Sequence, residues 1–192
     1  MRAAIVMLGL GAVLAMGAAQ EPPPAPRVIP PALIELVKKQ FGPAYTVVDD
    51  FSPVLLTGDL NGDGVDDAVI VGRCKNPLVD AQEFSYKVLD PHHAYFCFSD
   101  PKVTYEFNLR DPMRNRFLLV IHGAGEDAWR AATPQAKFVL INVPFDRLGI
   151  GRILVKKKVL RAISAEETSI LTSAVYWDGK KYKWEPNNTP AE

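Results

Sequence analysis

Hydrophobic and polar positions along this chain mostly follow the two-residue period of β-strands. The stretch VTYEFNL, residues 103–109, alternates apolar and polar side chains as a strand with one solvated face does. DAVIV, residues 67–71, and RFLLVIH, residues 116–122, carry apolar side chains at consecutive positions, which is typical of strands buried on both faces. The pattern therefore predicts a sheet with these two segments at its centre.

Most of the chain after residue 43 has this strand character. Asp178-Gly179 separates the last two apolar segments and is a dipeptide typical of a tight hairpin turn. The predicted strands are Tyr45–Val48, Val54–Thr57, Asp67–Arg73, Phe84–Leu89, Ala94–Phe98, Val103–Leu109, Phe117–His122, Phe138–Val143, Arg152–Val159, Ser169–Trp177 and Lys181–Trp184.

One early segment has the period of a helix instead. In PALIELVKKQFG the apolar residues at 33, 34, 37 and 41 fall on one face, Pro31 suits a first turn, and Gly42-Pro43 ends the helix. A second short helix is predicted within Gly125–Ala132. Together these elements predict an α+β fold, in which a mainly antiparallel sheet, curved or sandwich-like, has the N-terminal helix packed on one face.

Composition divides the chain into four segments. Residues 1–19 contain Arg2, an apolar run and then small residues, which predicts a secretory signal peptide cleaved after Ala19; an uncleaved signal anchor is the alternative. Residues 20–31 form a proline-rich leader, residues 32–185 a single domain, and residues 186–192 a flexible tail. The expected location is therefore exported, either periplasmic or secreted.

Charge and hydropathy exclude two classes of partner. The chain has 22 Lys and Arg against 22 Asp and Glu, so loss of Arg2 leaves one more acidic than basic residue. Such a balance gives no electrostatic reason to expect binding to nucleic acid or to an anionic membrane. No later apolar run approaches the roughly 20 residues of a spanning helix, so no membrane insertion is expected after cleavage.

Two cysteines, Cys74 and Cys97, make up the whole cysteine content of the chain. In an oxidising compartment an even pair favours one disulfide, and two buried free thiols are the alternative.

The stretch TGDLNGDGVDDAVIV, residues 57–71, places oxygen-bearing side chains at alternate positions around glycine. Counting from Asp59, they fall at positions 1, 3, 5 and 9, which are Asp59, Asn61, Asp63 and Asp67. Calcium takes six to eight oxygen ligands, and the backbone carbonyl of Val65 at position 7 would add one. Asp66 at position 8 is predicted to point away. The spacing indicates a Ca²⁺ site.

The stretch is not an EF-hand, because position 12 is Ile70 and the flanking segments have strand character. It resembles the calcium loop of FG-GAP and VCBS type repeats, in which a similar aspartate pattern runs from one strand into an apolar one. The resemblance covers about 15 residues and implies calcium held between two adjacent strands. Those repeats occur several times in a propeller, whereas this chain has one. A glycine-rich turn that binds no ion is the alternative.

An enzymatic alternative rests on the loop His122-Gly123-Ala124-Gly125, which follows an apolar strand as the oxyanion loop of α/β-hydrolases does. The chain lacks the Gly-x-Ser-x-Gly motif of that class, so its enzymatic character is uncertain and the balance is against it. The adjacent His92 and His93, expected on opposite faces of a strand, do not predict a shared metal.

A protein or glycan partner is also open. The basic run Lys156–Lys158 is typical of a guarded edge strand, and is the candidate surface if the chain is an inhibitor or lid for another exported protein. The hypothesis that the sequence favours is an exported calcium-binding protein without catalytic activity.

Overall fold

The structure is a computed structural model, and it describes residues 28–96 and 116–187. It has two α-helices, one 3₁₀ helix and ten strands within these ranges. The helices are α1 (Pro31–Phe41), α2 (Pro91–Tyr95) and the 3₁₀ helix Ala128–Arg130, and the strands are β1 (Thr46–Val47), β2 (Leu55–Gly58), β3 (Asp67–Arg73), β4 (Lys87–Leu89), β5 (Phe117–His122), β6 (Ala136–Leu140), β7 (Arg147–Val155), β8 (Lys158–Glu166), β9 (Thr172–Trp177) and β10 (Tyr182–Asn187).

The strands form two sheets. In the first sheet the order is β1-β3-β5-β6-β4, and β2 also pairs with β3, on the side away from β5. Every pair in it is antiparallel except β4 with β6. The second sheet is an antiparallel meander in the order β10-β9-β8-β7. The predicted α+β class is confirmed.

The first sheet is the middle layer of the molecule. In β3, Val69 and Val71 face the second sheet, whereas Ala68 and Ile70 face the opposite side, on which α1 and Trp129 pack. All six residues of β5 are buried in the same alternating way. Because strands covered on both faces need apolar residues at every position, the prediction that these two segments lie at the sheet's centre is confirmed.

Helix α1 begins and ends as its sequence predicts. Pro31 occupies the first turn, where a missing backbone N–H costs nothing. Gly42 follows the last turn at φ 100°, a conformation that glycine adopts readily, and its N–H donates to the Lys38 carbonyl. Leu33, Val37 and Phe41 are buried against the first sheet's outer face. The predicted N-terminal helix is confirmed.

The predicted strand Ala94–Phe98 is wrong over its described part, because residues 91–95 form α2. Asp90 caps this helix by accepting a hydrogen bond from the His93 N–H at 2.9 Å, and Pro91 takes the first position. This capping pair favours a helical turn over the predicted strand. His92 and His93 therefore lie on a helix and not on opposite faces of a strand.

The predicted single strand Arg152–Val159 is also wrong, because a two-residue turn divides it. Val155 pairs with Lys158, and the turn residues Lys156 and Lys157 have φ of 47° and 69°. Such turns usually contain asparagine and glycine, so two lysines gave no turn signal.

The other predicted elements differ less from the observed ones. The segment Gly125–Ala132 contains the 3₁₀ helix, and β10 continues to Asn187, two residues into the predicted tail. The predicted strand Val103–Leu109, the signal peptide and most of the leader lie outside the described residues. In the part of the chain that the structure describes, no helix is long and apolar enough to cross a membrane.

Gly123, directly after β5, permits a close backbone contact that holds the site described below. A Cβ atom at this position would lie 2.8 Å from the Ala128 carbonyl carbon and 2.9 Å from the Trp129 nitrogen, and closer still to the Asp66 carbonyl oxygen. All three are backbone atoms, so a side chain cannot be accommodated by rotating a neighbour.

We expect Gly123→Ala to lower the free energy of unfolding by about 2–3 kcal/mol, because the backbone must move apart. Gly149→Ala is the matched control, since a Cβ there meets nothing within 4 Å. Urea unfolding of both variants checks this. Equal stability of the two variants would contradict the close approach.

Candidate functional site

The acidic loop, defined as residues 59–67, connects β2 to β3. These strands are antiparallel neighbours, with Gly58 opposite Asp67, so the loop closes a hairpin at one edge of the first sheet. Gly62 and Gly64 have φ of 82° and 86°, which allows the chain to turn twice within a few residues. The turn directs alternate side chains toward the loop's own backbone.

Asp59 organises the first half of the acidic loop. Its Oδ1 accepts hydrogen bonds from the Gly62 N–H at 2.7 Å and the Asp63 N–H at 3.1 Å. Its Oδ2 accepts one from the Gly64 N–H at 3.0 Å. One carboxylate therefore satisfies three backbone donors.

Asn61 and Asp63 lie beside each other in the same turn. The Asn61 Oδ1 accepts from the Asp63 N–H at 3.0 Å, and its Nδ2 donates to Asp63 Oδ2 at 2.9 Å. Asp63 Oδ1 accepts from the Val65 N–H at 2.8 Å, and Gln135 Nε2 donates to Asp63 Oδ2 at 2.7 Å. Although partial burial opposes it, these hydrogen bonds hold the pKa of Asp63 below its usual value.

Asp67 lies beneath the loop and is fully buried. Its Oδ2 accepts from the Leu60 N–H at 2.8 Å, and its Oδ1 accepts from the Gly123 N–H at 2.9 Å. Burial raises its pKa to about 6, with a smaller contribution from the Asp63 charge, although the backbone donors oppose the rise. The carboxylate thus joins the acidic loop to the end of β5.

The acidic loop has no cationic partner in the part of the chain that the structure describes. None of the ion pairs there includes its four aspartates at 59, 63, 66 and 67. The exposed Asp66 has no side-chain hydrogen bond among those described, in agreement with its predicted outward position. Within the same residues, no group of three or more His, Cys, Asp or Glu side chains could hold a metal ion, so a cation at the turn would also need amide or backbone oxygens.

The donor set fits calcium at the turn itself. Asp59, Asn61 and Asp63 bring oxygens together on one exposed turn, and oxygens are the ligands that calcium takes. A carboxylate oxygen has two lone pairs, and Asp59 Oδ2 and Asp63 Oδ1 each accept a single hydrogen bond from the described residues. Asp67 is placed differently, because it is fully buried below the turn. Val65 takes part through its N–H, and its carbonyl is the remaining predicted ligand.

His122 is buried next to the acidic loop and is surrounded by aromatic rings. Its Nε2 is 2.8 Å from the Tyr182 hydroxyl, and its ring centroid is 5.0 Å from those of Phe138 and Trp177. Burial lowers the pKa of His122 to about 4, although the charges of Asp63 and Asp59 oppose this. The imidazole is therefore neutral at pH 7.

This environment argues against the hydrolase alternative. A general base needs a nucleophile or water within reach, whereas His122 is 3% exposed and its described hydrogen-bond partner is a tyrosine. Gly123 donates its N–H to Asp67, so this donor is not available to a substrate oxygen. The described residues therefore hold His122 in a packing role.

Cys74 is a buried free thiol among the described residues, and burial raises its pKa to about 11. Cys97 lies outside them. The disulfide therefore stays a prediction.

The sequence did not reveal Gln135 and Tyr182, which shape this site, and it indicated Gly123 only as part of a candidate oxyanion loop. Gln135 lies 72 positions from Asp63, and Tyr182 lies 60 positions from His122. Only the pairing of β5 with β6, and the packing of the second sheet on the first, bring these partners together. No local pattern marks such contacts.

Comparison with known proteins gives no relative from which a role for these residues could be transferred. No protein-family model matches the chain, and neither do the curated proteins or solved structures with which it was compared. The resemblance of the loop to FG-GAP and VCBS repeats therefore stays a prediction.

We expect His122 to make the protein less stable in mild acid. Its folded pKa of about 4 lies below the ordinary histidine pKa of 6.5, so between these values the unfolded chain binds a proton that the folded chain does not. The stabilisation that comes from burying the neutral imidazole is fully present above pH 6.5 and is lost as the pH falls toward 4. The free energy of unfolding is then lower by about 2 kcal/mol near pH 4.5.

Asp67 acts in the opposite direction, because its raised pKa of about 6 favours the folded, protonated form below that pH. The measurement is therefore the difference between wild type and His122→Gln in urea unfolding with EDTA, which cancels the Asp67 contribution. Relative to the variant, wild type should lose stability as the pH falls. Parallel pH profiles for the two proteins would refute the assignment.

Proposed function

We propose that this chain is an exported calcium-binding protein in which the acidic loop holds one structural Ca²⁺ ion. The proposal rests on negative charges that have no cationic partner among the described residues. Four aspartates lie in one short loop, and none has a cationic partner in the described residues. A divalent cation at Asp59, Asn61 and Asp63 would remove this repulsion where the ligand chemistry suits calcium.

The ion would stabilise a connection on which the first sheet depends. The turn that carries the proposed ligands is continuous with Leu60, whose N–H donates to Asp67. Asp67 in turn holds Gly123 at the end of β5. A cation near this buried carboxylate offsets the cost of keeping it ionised at pH 7, because its folded pKa is raised toward neutrality.

A structural role is favoured over a catalytic one by what surrounds the turn. His122, which could act as an acid or base, is buried against Tyr182 and is neutral. The proposed ligands otherwise contact backbone N–H groups and the amide of Gln135. A loop that binds no ion is supported by the same hydrogen bonds, so the two hypotheses differ in their response to calcium.

We expect calcium to raise the melting temperature of residues 20–192, while magnesium has little effect. Sites of this kind in extracellular modules bind with Kd of about 0.1–1 mM, which at about 10 mM calcium stabilises the folded state by about 1.4–2.7 kcal/mol. For a domain of this size the shift is roughly 3–10 °C. Differential scanning calorimetry in EDTA, followed by a titration with each ion, measures it.

Two variants with the same charge change locate the ion. Asp63→Asn removes the negative charge of a proposed ligand and should weaken calcium binding at least about tenfold, whereas the exposed Asp66→Asn should change it less than about threefold. Isothermal titration calorimetry compares them. The proposal fails if neither ion shifts the melting temperature, if magnesium acts as calcium does, or if both variants lose binding equally.

Export is tested separately. Expression of the full chain in a bacterial host should give a periplasmic product whose mass corresponds to cleavage after Ala19. A product that retains residues 1–19 would contradict the signal peptide and favour the anchor.

A further inference from the structure

The hairpin of β7 and β8 continues beyond the rest of its sheet. β9 pairs with β8 only along residues 162–166, whereas β7 and β8 pair as far as Val155 and Lys158. Residues 152–161 therefore form a two-stranded ribbon whose strands pair only with each other among the described residues. We call these ten residues the basic arm.

The basic arm has five cationic side chains and no acidic one. They are Arg152, Lys156, Lys157, Lys158 and Arg161. Four acidic residues of the acidic loop, whose Asn61 lines the groove beside the arm, balance much of this charge in the total, so the neutral sum conceals an excess on the arm itself. None of the five cations takes part in an ion pair within the described part of the chain.

The nearest acidic side chains do not neutralise the arm. Asp178 and Glu185 line a groove beside it, but each has its own partner. Lys183 Nζ lies 3.1 Å from Asp178 Oδ2, and the Tyr176 hydroxyl donates to Glu185 Oε1 at 2.7 Å. The positive charge of the arm is therefore directed to solvent.

One face of the basic arm also exposes aliphatic side chains. Leu154 and Val159 are cross-strand partners and are 69% and 65% exposed. Arg152 and Arg161, the pair two residues toward the sheet, lie on the same face because side chains alternate along a strand. This face thus presents an apolar pair between two arginines and the lysine turn.

The two residues that form the turn are not those that its backbone conformation favours. Lys156 and Lys157 both have positive φ, at positions where asparagine and glycine are favoured. Side chains with a Cβ are strained there, and such strain is concentrated where a particular side chain is needed. The geometry of the turn alone therefore does not account for lysine at these two positions.

We propose that the basic arm docks this protein on an anionic phospholipid surface, with Leu154 and Val159 entering the interface and the two arginines and the lysine turn contacting lipid phosphates. Exposed aliphatic side chains surrounded by cations on long stems are what interfacial membrane binding requires. An acidic polymer in water contacts the cations but gives no reason for the exposed apolar pair. The contact is peripheral and involves no spanning segment.

The test is co-sedimentation of residues 20–192 with vesicles in EDTA, which keeps the outcome independent of the calcium proposal. Vesicles of phosphatidylcholine with about a third phosphatidylglycerol should bind the protein at about 0.1 M salt, and pure phosphatidylcholine should not. About 1 M salt should release it, because screening shortens the range of the attraction to about 3 Å. Absence of binding to the anionic vesicles refutes the proposal.

Two double variants test whether the basic arm is the surface that binds the vesicles. K156N/K157G removes two charges and relieves the turn, so vesicle binding should fall roughly 25-fold while the melting temperature stays equal or rises. K180Q/K181Q removes two exposed lysines from the other hairpin turn and should leave binding nearly unchanged. An equal loss in both variants would show that total charge matters and would refute the docking role of the arm.

L154T/V159T separates a lipid surface from an acidic polymer. Threonine keeps strand propensity but is less apolar, so vesicle binding should fall at least tenfold. Binding to polyglutamate, measured as a control, should be weak and unchanged by these substitutions. If polyglutamate binds as tightly as vesicles and the substitutions change neither, the arm binds an acidic polymer and the lipid proposal is wrong.

Discussion

The buried carboxylate of Asp67 is the contact on which the rest of this structure depends. It stands at the first position of β3, with no exposed surface, and its two oxygens hold the N–H groups of Leu60 and Gly123. These bonds connect the acidic loop, the hairpin partner of β3 and the end of β5. Gly123 can approach only because it lacks a side chain. Two central strands and one loop are thereby fixed by a single ionisable group.

A buried carboxylate destabilises the folded state when it is charged and has no cation nearby. Burial raises the pKa of Asp67 to about 6, so keeping it charged at neutral pH opposes folding. The adjoining His122 does not compensate, because burial lowers its pKa to about 4 and keeps it neutral. Three more aspartates nearby make the local field more negative. This electrostatic imbalance, more than ligand spacing alone, is the physical reason for expecting a bound cation.

Sequence reasoning was successful where one local property decides the structure. β3 and β5 were predicted with their observed bounds, since burial on both faces requires consecutive apolar residues, and α1 was predicted from its proline, its glycine and its apolar face. It failed where tertiary context overrides local preference. Two lysines form the turn of β7 and β8 despite positive φ, and Asp90 caps a helix that overlaps a predicted strand. Gln135 and Tyr182 reach the site only through sheet packing, which no local pattern encodes.

The composition of the whole chain also gave no indication of how unevenly charge is distributed over the surface. Equal numbers of acidic and basic residues suggested a protein without electrostatic preference, and for the whole chain that remains true. In the folded state, however, four carboxylates are concentrated in the acidic loop and five cations in the basic arm. Each set lacks ion pairs among the described residues, although Asn61 of the acidic loop lines the groove beside the basic arm. At physiological ionic strength a charge acts over about 8 Å, so a partner responds to the nearest patch and not to the total. A neutral chain can therefore present one surface that suits a divalent cation and another that suits an anionic interface.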